Sequence, residues 1–183
     1  RNAGARPGDL LVLGKPLGVG IYSAALKKGR LDQAGYRAMI ESTTKLNTPG
    51  PVLGRLSGVH ALTDVTGFGL LGHLLEICKG SGVAAHVDWK SLPVLPGAIE
   101  LARDGFSTGA SGRNFTGYGA KGRLGARTGG KALLTDPQTS GGLLVACAPE
   151  SLDEVMKAFH DDGFVHAAVI GRIEPGTPAV SVE

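Results

Sequence analysis

Cysteine is nearly absent: Cys78 and Cys147 are the only two in 183 residues. Two lone thiols build no disulfide framework, so a reducing cytosol is the expected setting. No apolar run approaches the roughly 18 residues of a membrane span, and no signal-peptide pattern opens the sequence, so no membrane partner is expected. The net charge is only +3. That permits an anionic small ligand but does not argue for nucleic acid, and no nucleic-acid module is recognisable. Walker A, CxxC and nucleophile-elbow sequences are all missing, which excludes the chemistries those motifs carry.

What is present is a foldable chain. Hydrophobic residues make up 42% of a length sufficient for a real core. The 30 glycines are more than double the average usage of roughly 7%, a sign of tight turns or close backbone approaches. The first residue is Arg, and "RNAGARPGDLL" enters a strand almost at once, so the expectation is a single domain over 1–183 cut from a longer protein.

Alternating patterns place the elements. "DLLVLG" reads as a buried strand, and "LGVGIYSAALKKG" as a helix stopped by Gly29 with Lys27 and Lys28 in its last turn. "LDQAGYRAMIESTTKL" is a second helix with Asp32 near its start, and "TPGPVLGRLSG" a short one. "VHALTD" is a strand, Phe68 to Lys79 a helix, and "VAAHVD" a strand with Val83, Ala85 and Val87 on one face. "GAIELARDG" makes a short helix. Residues 105–130 hold nine glycines, Arg113, Lys121, Arg123 and Arg127, and no acid. This stretch reads as a loop, either an ordinary solvated one or one that closes on phosphates. "GGLLVAC", "VHAAVIGRI" and "PAVSVE" are strands, the last an edge, and Ser151 to Asp161 is a helix. The class is α/β (α+β): a mixed β-sheet covered by helices.

The chemistry concentrates in "LTDVTGFGLLGHLLEI". Gly67, Gly69 and Gly72 match the dinucleotide fingerprint, but four residues separate the strand from the first glycine, and Asp64 would repel a pyrophosphate. A second reading makes Asp64 a Mg²⁺ ligand at a strand end, with the helix N-terminus favouring the phosphate that the metal bridges. A third makes Asp64 or Thr66 a simple helix cap; on the residues alone the last two stand level. "TDPQTSGGLL" reads equally as a phosphate-binding nest or a tight entry to a strand. Cys78 and Cys147 fall on core spacings. His73 and Glu76, three apart, can hold metal, but without a second such pair they read as a helix-surface pair.

Taken in order and spacing, "GDLLVLGKPLGVGI", "HALTDVTGFGLLGHLLEI", "GRNFTGYG" and "LTDPQTSGGLLVA" resemble the C-terminal half of selenophosphate synthetase (selenide, water dikinase). Looser versions occur in aminoimidazole ribonucleotide synthetase and its relatives, so another ATP-dependent enzyme of purine or thiamine pathways is the runner-up. The resemblance implies a two-domain kinase that turns ATP, selenide and water into selenophosphate, AMP and phosphate for selenocysteine synthesis. It implies Asp64 as a Mg²⁺ ligand; from the chemistry of such a site, Thr66, Gly67, Thr139, Ser140 and Gly141 are expected near the phosphates of ATP. It also implies a homodimer for the whole protein. The family's reactive Cys or Sec, its neighbouring lysine and the other metal-binding acids belong to the half not printed here. No catalytic residue is therefore expected in this chain, which should fold without catalysing. Gly14 stands where the family has Thr before Lys15.

Overall fold

A computed structural model describes residues 2–124 and 129–183. β1 (Leu10–Leu13) leads into α1 (Val19–Lys27) and α2 (Gln33–Thr44), and the one-turn α3 (Gly50–Leu53) precedes β2 (Val59–Asp64). Next come α4 (Gly69–Ser81), β3 (Ala84–Val87), α5 (Ala98–Arg103), α6 (Gly109–Tyr118) and the two-residue β4 (Gly122–Arg123). Then follow α7 (Gly130–Leu134), β5 (Leu143–Cys147), α8 (Leu152–Asp161), β6 (Ala168–Glu174) and β7 (Val180–Val182). Local chemistry sets several ends. The Asp32 carboxylate accepts the Gly35 N–H at 2.7 Å and caps α2. Gly82, in the left-handed region at φ 69°, closes α4.

The strands form one mixed seven-stranded sheet in the order β2-β5-β1-β6-β3-β7-β4. Pairs from β2 to β3 are antiparallel, whereas β7 runs parallel to both its neighbours. Pleat alternation splits the core in two. Leu11, Leu13, Leu144 and Ala146 face Leu70, Leu71, Leu74 and Leu75 of α4. Val12 and Val145 face the other way, onto Leu53 of α3 and Val155 and Phe159 of α8. Burial on both faces is why β1 and β5 are written as unbroken apolar runs.

Three sequence expectations need correction. "PAVSVE" is not an edge, because β7 lies between β3 and β4. The dinucleotide arrangement is not realised either: β2 and β3, which flank α4, are separated by three other strands, and β2 pairs only antiparallel. Finally, much of the glycine-rich basic stretch is helical. α6 is capped by the Thr108 hydroxyl accepting from Ser111 N–H at 3.2 Å. Its inward face is polar, Ser111 and Asn114, so no apolar 3.6-residue period announced it. Arg113, Lys121 and Arg123 are exposed, and Arg127 lies outside the described residues.

Candidate functional site

Asp64 ends β2 opposite Leu143 of β5. The ladder continues one step as Val65 N–H donates to Gly142 O at 2.9 Å. The two chain segments then leave the sheet side by side: Thr66 O accepts the N–H groups of both Gly69 and Gln138 at 3.0 Å. This approach excludes side chains at two positions. A Cβ on Gly141 would lie 1.9 Å from Val65 O, and one on Gly142 would lie 2.4 Å from Lys15 N. The double glycine of "TSGG" is thus a packing requirement. Gly69 combines φ +68° with a would-be Cβ 2.8 Å from Thr135 C, so it too must be glycine.

Buried polar groups lock this rim from below. The Lys15 ammonium, 3% exposed, donates to Lys45 O and Ser140 O at 2.6 Å and to Ser42 O at 3.0 Å. Burial, then the charge of Lys45, holds its pKa below the ordinary lysine range. The lysine therefore ties the end of α2 to the 139–142 turn. Gly14 beside it leaves room for a ring, since a Cβ there would lie 2.5 Å from Phe159 Cε1. Asn47 adds a bond from Nδ2 to Gly141 O at 2.8 Å.

Asp136 and Gln138 serve as a remote cap. α1 has no local side-chain cap. Instead the Asp136 carboxylate accepts the Gly20 N–H and Gln138 Nε2–H at 2.9 Å, and Gln138 Oε1 accepts from Gly18 and Val19 at 3.3 Å. Burial pushes the Asp136 carboxyl up to about 7, against the pull of those hydrogen bonds. From above, α6 braces the rim: Asn114 Nδ2 donates to Gly67 O at 2.8 Å and to Thr135 O at 3.1 Å. The Tyr118 hydroxyl donates to Phe68 O. Lys15, Asn114, Tyr118, Asp136 and Gln138 were not assigned these roles from sequence. Their only signal was a polar residue inside a glycine-rich motif.

The six candidate residues come together on this rim. Asp64, Gly67, Thr139 and Ser140 are exposed, Thr66 is half-buried and Gly141 is buried. The Asp64 carboxylate makes no hydrogen bond or ion pair among the described residues, and Phe68, at the N-cap of α4, leaves the helix without a side-chain cap. Neither Asp64 nor Thr66 therefore acts as a cap. His73 is not the surface residue its spacing suggested: it is 8% exposed, with Nε2 3.2 Å from Thr66 Oγ1. Both cysteines are buried and free, their thiols raised to about 11 by burial, so neither is a nucleophile. Among the described residues no three His, Cys, Asp or Glu side chains gather as a metal cage. The rim offers a metal one exposed, free carboxylate, and Mg²⁺ readily takes its remaining ligands from waters and phosphate oxygens.

A mixed seven-stranded sheet covered by helices, with a free acid between two glycine-rich turns, makes this an α/β domain. Residues 6–183 match the family described as AIR synthase related protein, C-terminal domain, and the chain belongs to that family. Across its whole length it is 60% identical to a selenide, water dikinase of Dechloromonas aromatica, of which it covers 53%. It is 61% identical to that of Burkholderia pseudomallei, covering 52%, and 47% identical to that of Rhizobium meliloti, covering 53%. The chain thus spans about half the length of the curated relatives it matches. Among solved structures, thiamine-monophosphate kinase from Stenotrophomonas maltophilia K279a aligns with TM-score 0.66 at 25% identity over 100% of this chain and 52% of that one. E. coli HypE aligns with TM-score 0.70 at 22% identity over 100% and 48%, and so shares the fold. The resemblance in the motifs is borne out at the level of family.

Proposed function

We propose that the chain is the C-terminal half of a selenophosphate synthetase, which makes selenophosphate, AMP and phosphate from ATP, selenide and water. The observation that carries this reading is full-length identity near 60% to selenide, water dikinases, against 25% to a thiamine-monophosphate kinase of the same fold. Asp64 is the residue of this half that holds Mg²⁺, since its carboxylate is exposed and free of protein partners. The metal, when bound, neutralises phosphate charge. Thr66, Gly67, Thr139, Ser140 and Gly141 frame the phosphates of ATP, using hydroxyls and close backbone. The remaining metal acids and the reactive Cys or Sec come from the other half of a cytosolic, homodimeric enzyme.

The test uses the whole protein. With selenide and Mg²⁺–ATP, the wild type should release AMP, and Asp64→Asn should lower that rate by about 10²-fold, the scale of losing one electrostatic stabiliser. A wild type that makes no selenide-dependent AMP overturns the function. An Asp64→Asn variant at wild-type rate overturns the role of Asp64.

A further inference from the structure

Thr66, His73 and Glu76 form a line of polar contacts that runs from the rim into α4. Thr66 Oγ1 lies 3.2 Å from His73 Nε2. On the other side of the ring, His73 Nδ1 lies 3.2 Å from Glu76 Oε2, one turn further along the helix. That second contact is close in distance but poor in angle, and Nδ1 is buried without a hydrogen bond among the described residues. A buried polar atom left without a partner is destabilising. Packing does not account for that cost, because α4 fills its other inward positions with Leu70, Leu71, Leu74 and Leu75.

The arrangement has a direction. Once Glu76 turns into line, its carboxylate holds the ring proton on Nδ1, so Nε2 presents a lone pair. The Thr66 hydroxyl then donates to Nε2, and the lone pairs of Oγ1 remain for a group at the rim. Thr66 cannot drift away, since its carbonyl is held by the N–H groups of Gly69 and Gln138. The Phe68 ring lies 5.9 Å from the imidazole, tilted against it. Glu76 is about half exposed, with 48% of its side chain accessible, so its carboxylate is solvated and can turn into line with Nδ1. Hydroxyl, imidazole and carboxylate in this order make up the activating unit of hydroxyl-dependent enzymes.

We propose that Thr66, His73 and Glu76 form a proton relay that activates water against a nucleotide phosphoanhydride held at the rim. The relay rests on the proposed function and refines it. Taking ATP to AMP breaks two phosphoanhydride bonds; selenide takes one phosphoryl group and water the other. In the water step the water oxygen forms the new P–O bond, and the bridging P–O bond breaks with its electron pair going to the leaving nucleotide. The water proton passes to Thr66 Oγ1 as the threonine's own proton passes to His73 Nε2. Glu76 faces the resulting imidazolium. Thr66 touches the water and is the catalytic residue, while His73 and Glu76 act through it as positioning residues.

The relay serves only the water step, and that gives a readout which a purely structural role would not move. The whole protein is assayed with selenide and Mg²⁺–ATP, following ADP, AMP and selenophosphate together by phosphorus NMR. His73→Gln and Thr66→Ala should each lower AMP formation about 10²-fold, within the range of general-base contributions. Selenophosphate should still form, with ADP accumulating in step with it. Thr66→Ser, which keeps the hydroxyl, should retain both products. Equal loss of selenophosphate and AMP without ADP would mean that His73 only supports the fold, and overturns the relay. So does an unchanged AMP rate in either variant. A wild type that makes no selenide-dependent AMP instead fails the functional reading, and the relay with it.

Discussion

Asp136 shows most directly how a single side chain couples this rim to pH. Its carboxyl, fully buried, is raised from the usual 3.8 to about 7. Between those values the folded protein keeps the proton and the unfolded chain has lost it. Stability is therefore highest at low pH within this window, falls as pH rises toward 7, and levels off above. Each tenfold change in proton affinity is worth about 1.4 kcal/mol, so the full cost approaches ~4 kcal/mol. Asp136→Asn removes the ionisation. Urea unfolding at pH 5 and pH 8 should show the wild type losing stability at the higher pH, and the variant losing about 3 kcal/mol less. Equal losses in both proteins would show that Asp136 does not set the slope. At this scale the sequence was only partly legible. Asp64 stood out because an acid before a glycine turn is chemically odd. Asp136 and Lys15 did not, because burial and partners from distant segments exist only once the chain has folded.

Elements were easier to read where an apolar period ran through them. α1, α4, α8, β1, β2 and β5 follow their patterns closely, since each buries an apolar face or stripe. α6 hid because it binds through amides and hydroxyls: Asn114 to Gly67 and Thr135, Ser111 to Thr135 at 2.7 Å, and Tyr118 to Phe68. The helix is held by the rim and holds the rim in return. Asn114→Ala leaves two carbonyls without that donor, at a cost of about 1–3 kcal/mol. Amide hydrogen exchange over residues 66–69 should accelerate in this variant more than exchange in β5. Uniform acceleration across the sheet would show that Asn114 stabilises the molecule globally and does not brace the rim in particular.

At the scale of the whole molecule, the chain supplies its own core on both faces of one sheet and, under the proposed function, only part of a nucleotide site. Asp64 is a single free carboxylate, and no cage of three metal-binding side chains exists among the described residues. One acid cannot offset the charge of a triphosphate with its several Mg²⁺ ions. The isolated chain should therefore unfold cooperatively in urea yet turn over no ATP with selenide. Robust AMP release by the isolated chain would overturn that division of labour. The order of the strands carries one more consequence, for synthesis. β1 sits in the middle of the sheet, yet its partners are β5 and β6, which are translated roughly 130 to 160 residues later. At ~5–20 residues per second, Leu10–Leu13 waits on the order of ten seconds with both strand edges bare. β1 precedes the other six strands in this sequence yet pairs with neither β2 nor β3, so both its edges stay open until β5 and β6 have been made.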